Sequence, residues 1–128
     1  MKIGTMVIAD VFVLDLSGYL ILGDEMQVSE DPEVVGSIIC VQDTLERLVA
    51  SGQKKIVIDL SGVRKMDSSG LGMLIGFFHR CSNLKPPVKV HFVNPRGTVS
   101  RDLVMTHLDE VLPIYSTTDS AIAGFNDL

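Results

Sequence analysis

Apolar residues alternate with polar ones at the start of the chain and then recur at helical spacing, which predicts strands leading into alternating helices and strands. Met6 to Ala9 and Val11 to Leu16 are rich in β-branched and aromatic residues. Phe12, Leu14 and Leu16 alternate with Val11, Val13 and Asp15, as in strands with one buried face. Ser17-Gly18 reads as a turn, and Tyr19 to Leu22 as a short third strand. Gly23 to Pro32 is the most polar stretch; Asp24, Glu25, Glu30 and Asp31 make it an exposed acidic loop. Pro32 suits a helix start with Asp31 as its cap. Val35, Ile38, Ile39, Val41, Leu45, Leu48 and Val49 then keep largely helical spacing, and Gly52 supplies a left-handed stop.

Lys54 to Leu60 has a continuous apolar centre rather than an alternation, which predicts a strand covered on both faces. A turn over Ser61 to Asp67 leads to a second helix over Ser68 to Cys81. A strand over Val88 to Val93, a short helix over Val99 to Leu108, a strand over Val111 to Tyr115 and a helix over Ser116 to Phe125 follow. The order β-β-β-α-β-α-β-α-β-α implies right-handed crossovers and parallel strands, to which the early hairpin adds an antiparallel pair. The fold class is therefore α/β: one domain over residues 1–128, with its core at about 5–125 and a mixed sheet with helices packed on it.

Composition narrows the function. At 128 residues and 46% hydrophobic, the chain is neither disordered nor long enough for two ordinary domains. Its longest apolar runs are about five or six residues, against roughly 20 for a membrane-spanning helix, so no membrane span is expected. Eleven basic against sixteen acidic residues give a net charge of −5 with no Lys/Arg cluster, which argues against direct nucleic-acid binding. The N-terminus shows no cleavable signal pattern. Cys40 and Cys81 have no CxxC spacing; a reducing, cytoplasmic setting follows, with both expected as small core-lining residues.

The unusual segment runs from Ile58 to Gly72, joining a buried strand to a helix, where open α/β sheets place their sites. Asp67 is followed by two hydroxyls and a glycine at the helix start, a pattern that caps the helix well. Gly70 and Gly72 also leave the Ser69 hydroxyl uncovered, at a cost of about 1 kcal/mol each relative to alanine. Gly76 lies one turn beyond Gly72, so a strip without side chains runs along the helix. It lets a strand pack closely inside or a partner dock flat outside. The core stripe is expected at Leu71, Leu74, Ile75 and Phe78. Met73 and Phe77 fall off it, either as a second buried face or as an apolar patch that could pair two copies.

Enzymatic patterns fail on these residues. Met66 or Asp67 stands where a nucleophile elbow needs its first glycine, and Leu71 where it needs its last. His79, His91 and His107 are scattered and read as packing or surface residues. Gly70-Leu71-Gly72 would need glycine at Ile75 to bind a dinucleotide, and no Walker loop occurs. The histidines and cysteines lack metal-ligand spacing. No catalytic residue, metal or cofactor is expected.

Asp59-Leu60-Ser61-Gly62-Val63 followed by Met66-Asp67-Ser68-Ser69-Gly70-Leu71-Gly72 resembles the signature of the STAS family, the bacterial anti-sigma factor antagonists and the cytoplasmic domains of sulfate transporters. Leu14-Asp15-Leu16-Ser17-Gly18 and Phe92-Val93-Asn94-Pro95 extend the resemblance to about residues 5–125. It implies a binding module without enzyme activity that regulates sigma-factor-dependent transcription. Unmodified, such a protein binds a partner that is both anti-sigma factor and serine kinase; phosphorylation releases it, and a serine phosphatase resets it. The resemblance places the phosphate on Ser69, with Asp67, Ser68, Ser69, Gly70, Gly72 and Met73 meeting the partner. The sequence departs from the family pattern in three places. Tyr19-Leu20-Ile21 replaces the acidic residues after Gly18, the acidic connection into the first helix is long, and Thr106-His107-Leu108 stands where a glycine is usual. The acidic insertion favours a second reading, a STAS scaffold or regulatory subunit of a transporter or larger signalling assembly in which Ser69 is a helix cap.

Overall fold

A computed structural model describes residues 2–20, 37–93 and 112–127. Its elements are β1 (Lys2–Ile8), β2 (Val11–Leu20), α1 (Ser37–Ala50), β3 (Lys55–Met66), α2 (Ser68–Ser82), β4 (Lys89–Val93), β5 (Ile114–Tyr115) and α3 (Thr118–Ala123), followed by a 3-10 turn (Gly124–Asp127). The strands lie in the order β1-β2-β3-β4-β5. β1 and β2 are antiparallel and every other neighbouring pair is parallel, so the sheet is mixed as the pattern predicts. The acidic loop Gly23–Pro32, the Asp31 and Pro32 helix start, Asn94-Pro95, the Val99–Leu108 helix and His107 lie outside the described residues.

Two expected turns are strand. Ser17-Gly18 does not end β2, and Tyr19 and Leu20 belong to the same strand rather than to a third one. Likewise β3 runs through Ser61–Met66. The two Ser-Gly pairs meet side by side, with Ser17 opposite Gly62 and register shifts on either side of Ser17-Gly18. Both shifts put an extra residue in β3, and Gly18, at a φ of 111°, takes the left-handed conformation that lets β2 follow them without ending. A β-carbon on Gly62 would stand 2.8 Å from that of Ser17 and 2.9 Å from the Leu16 carbonyl oxygen, so the strands close only because that side chain is absent.

Helices cover both faces. Leu14, Leu16, Ile56, Ile58, Leu60, Val90 and Phe92 pack under α1 and α2, while Val11, Val13, Val57 and Val93 pack under α3 and Phe125. Ile56, Val57 and Ile58 are all fully buried, as a two-faced strand requires. Gly52, at φ 94°, ends α1: its N–H donates to the Val49 carbonyl and that of Gln53 to Leu48, the paired bonds of a left-handed helix cap.

The helix phases differ from expectation in two places. α1 buries Ile38, Val41, Leu45 and Leu48, which leaves Cys40 exposed rather than core-lining; Cys81 is buried, and desolvation pushes its thiol up to about 11. α2 buries Gly70, Leu74, Phe77 and Cys81. Leu71, Ile75 and Phe78 are only half-buried, so the core stripe is turned from the expected one. The reason is the contact of Gly70 with β2, described below. The final helix is also shorter than Ser116–Phe125: α3 starts after the Thr117 cap and gives way to the 3-10 turn at Gly124.

Candidate functional site

The site is the junction of β3 and α2. Asp67 has extended backbone and caps α2: its Oδ1 accepts the Gly70 N–H at 2.8 Å, and its carbonyl accepts the Leu71 N–H at 3.0 Å. Its own N–H donates to the Leu20 carbonyl at 3.3 Å, tying the helix start to the end of β2. Ser68 and Ser69 are the first two helical residues, and their amides find no acceptor within the helix. Two amide donors and the positive end of the helix dipole therefore converge there, an arrangement that favours a negative group. Ser68 is exposed and Ser69 half-buried.

The three glycines do different things. Gly70 is buried; a β-carbon there would lie 3.0 Å from Leu20 Cγ and 3.1 Å from Met66 Cγ, with the Leu20 carbonyl oxygen closer still. Gly72 and Gly76 are exposed and would meet nothing within 4 Å. Ser68, Gly72, Gly76 and Arg80 thus form an exposed strip at four-residue spacing, whose two middle positions carry no side chain. Met73 is half-buried against the main core. Phe77 is 2% exposed, so it offers no surface patch for pairing two copies.

The structure brings together Asp67, Ser68, Ser69 and Gly70 at one helix end, with Gly72 and Met73 in the next turn. Sequence reasoning missed Leu20, whose carbonyl and side chain fix the position of that end; assigned to a separate strand, it carried no signal. No hydrogen bond links a histidine to Ser68 or Ser69 among the described residues. His79 is exposed, its ring edge-on to Phe78. His91 is buried; its Nδ1–H donates to the Ala121 carbonyl at 2.9 Å, and its ring stacks on Phe125 at 3.9 Å. Burial lowers its pKa, an effect the Ala121 bond opposes and the Lys89 charge reinforces. Asp15 faces Asp59 across β2 and β3, and partial desolvation followed by that neighbouring charge raises its pKa. No cluster of three or more metal-ligating side chains occurs among the described residues, and no helix among them is long and apolar enough to cross a membrane.

A family model described as STAS domain matches residues 32–121. A Thermotoga neapolitana protein, named as a homologue of the anti-sigma factor antagonist TM1081, is 30% identical over 77 residues. That stretch is 60% of this chain and 66% of the relative, just under two thirds of the relative's length. Among solved structures, that of TM1081 itself, from Thermotoga maritima, superposes with a TM-score of 0.76 at 22% identity, over 95% of this chain and 92% of that one. The anti-sigma factor antagonist SpoIIAA in its unphosphorylated form gives 0.66 at 18% identity, over 99% and 100%. The phosphorylated form of Bacillus SpoIIAA gives 0.66 at 17%, over 97% and 99%. At these identities the three structures share a fold with this chain, and the family match carries the kinship.

Proposed function

The chain belongs to the STAS domain family, and from that premise we propose that it is an anti-sigma factor antagonist switched by phosphorylation at the start of α2. Unmodified, it binds an anti-sigma factor that is also a serine kinase, laying the strip of Ser68, Gly72 and Gly76, with Met73 beside it, against the partner. Phosphorylated, it lets go, and a serine phosphatase restores it. It works as a cytoplasmic binding module, without chemistry of its own.

The observation that carries this reading is the Asp67 cap. Because Asp67 already engages the Gly70 amide and Leu71 engages the Asp67 carbonyl, the helix start is held from within, while the serine pair stays at its open end. A phosphate adds about −1.5 to −2 charge units and three acceptor oxygens, which the free amides and the dipole tolerate locally. Against a docked partner the same charge is desolvated, at a cost of several kcal/mol, enough to shift affinity by orders of magnitude. Modification therefore breaks an interface without unfolding the domain. That this chain matches SpoIIAA equally well in both of its forms supports a switch that leaves the fold intact. The family resemblance points to Ser69 as the acceptor, whereas exposure favours Ser68, so the two are tested separately.

The test is affinity capture from the native host with Ser68 and Ser69 each changed to alanine and to aspartate. An alanine bait that retains a serine-kinase-like ATPase, paired with an aspartate bait that loses it, supports the switch and identifies the acceptor. Baits that all retain the same transporter or assembly component overturn it in favour of a scaffold.

A further inference from the structure

β1 closes one side of the sheet, with no strand beside its outer edge among the described residues. Sheets usually guard such an edge with lysine, proline, a bulge or a very short strand, because open N–H and C=O groups recruit other chains. Here Lys2–Ile8 pairs with Val11–Ser17 in unbroken register, and Ile3-Gly4-Thr5-Met6-Val7-Ile8 holds no charge, no proline and no bulge. Met6 and Val7 point to opposite faces and are 55% and 62% exposed. From Ile3 to Ile8 the edge is uncharged, with exposed apolar side chains on both faces.

We propose that this edge pairs antiparallel with the same edge of a second copy, joining two five-stranded sheets across a two-fold axis. Three features select a second copy. With Thr5 opposite Thr5, Met6 of each copy falls opposite Gly4 of the other. A β-carbon on Gly4 would touch only Asp15, at 3.6 Å or more, so the face above it is open to the incoming side chain. Val7 falls opposite Ile3, which already packs against the main core, so the pairing extends that core on the face covered by α1 and α2. Lys2, the strand's one charge, reaches Ile8 and the turn beyond it, where the Asp10 side chain is 70% exposed despite its bond to Lys55. Symmetry makes each contact twice and closes the assembly at two copies.

The test is sedimentation of the full chain from micromolar to hundreds of micromolar, beside Met6→Lys and Val7→Lys. Both substitutions lie on exposed positions, so an unchanged melting temperature and circular dichroism spectrum establish that the variants fold. The wild type is expected to dimerise, and each variant to raise the dissociation constant by about tenfold or more. Lys2→Glu is expected to weaken the dimer most at low salt. Exchange of the β1 amides is expected to slow with concentration in the wild type but not in Met6→Lys. A wild type that stays monomeric across the range, or a dimer that both lysine variants leave intact, overturns the proposal.

Discussion

Leu20 and Gly70 meet with no side chain between them: Leu20 Cγ lies 3.0 Å from where a β-carbon on Gly70 would stand. Gly70→Ala must push β2 and α2 apart, and is expected to cost about 1–3 kcal/mol. Gly72→Ala and Gly76→Ala enter open space in a helix and are expected to stabilise the fold by up to about 1 kcal/mol each. Denaturant unfolding of the three variants separates the inward glycine from the outward pair. If the exposed strip is the docking face, the two stabilising variants are also the ones that weaken partner binding.

Asp67→Ala removes the acceptor of the Gly70 N–H and is expected to cost about 1 kcal/mol, whereas Asp67→Asn, an equally good cap, costs little. Thermal unfolding of both reads this directly. An equal loss in the two would mean that the carboxylate charge, rather than the cap bond, holds the helix start.

Ser68→Asp and Ser69→Asp place a negative charge at the positive end of α2 and are expected to leave stability unchanged or raise it by about 0.3–1 kcal/mol. The check is a melting curve run beside the binding assay. Lost binding together with a lowered melting temperature would point to damage rather than a switch.

Gly52→Ala is expected to cost about 1 kcal/mol although nothing lies within 4 Å of the new methyl, because the cost is the left-handed backbone at φ 94° alone. Equilibrium unfolding measures it.

His91 gives stability a pH dependence of definite sign. Its folded pKa lies below the ordinary imidazole value of about 6.5, so just below that pH the unfolded chain binds the proton more readily. Stability is expected to be level above about 6.5 and to fall as pH drops from there to the lower folded value. His91→Phe should flatten this window. Asp15 acts in the opposite sense at more acidic pH, since its raised folded pKa makes protonation favour the fold; Asp15→Asn should remove that gain. Unfolding free energies of the variants between pH 4 and 8 would show both signs.

Much of this was legible in the residues. The continuous apolar run at Ile56-Val57-Ile58 announced a strand covered on both faces, Gly52 a left-handed helix end, and Asp67 the start of α2. The Ser-Gly pairs read as turns because a glycine inside an irregular strand pair looks the same in sequence as one in a turn. Only the meeting of Ser17 with Gly62, forty-five positions apart, distinguishes them. The phase of α2 was hidden for a related reason. Leu71, Met73, Leu74, Ile75, Phe77 and Phe78 surround most of the helix with apolar groups, so periodicity does not choose a face. The choice falls to the close seat of Gly70 on Leu20, a contact between distant segments. Cys40 differs for another reason: free cysteine is usually buried, but the spacing of Ile38, Val41, Leu45 and Leu48 turns position 40 outward.

The division among the α2 glycines also bears on how such a domain diversifies. Gly70 answers to the interior, and variation there is filtered by foldability. Gly72 and Gly76 answer only to whatever rests on them, and larger residues there leave the core untouched. A lineage, or a selection experiment, can therefore explore new partners by decorating one side of a helix while its other side preserves the scaffold. Paralogues that share this fold within one cell could be kept from cross-talk by that means.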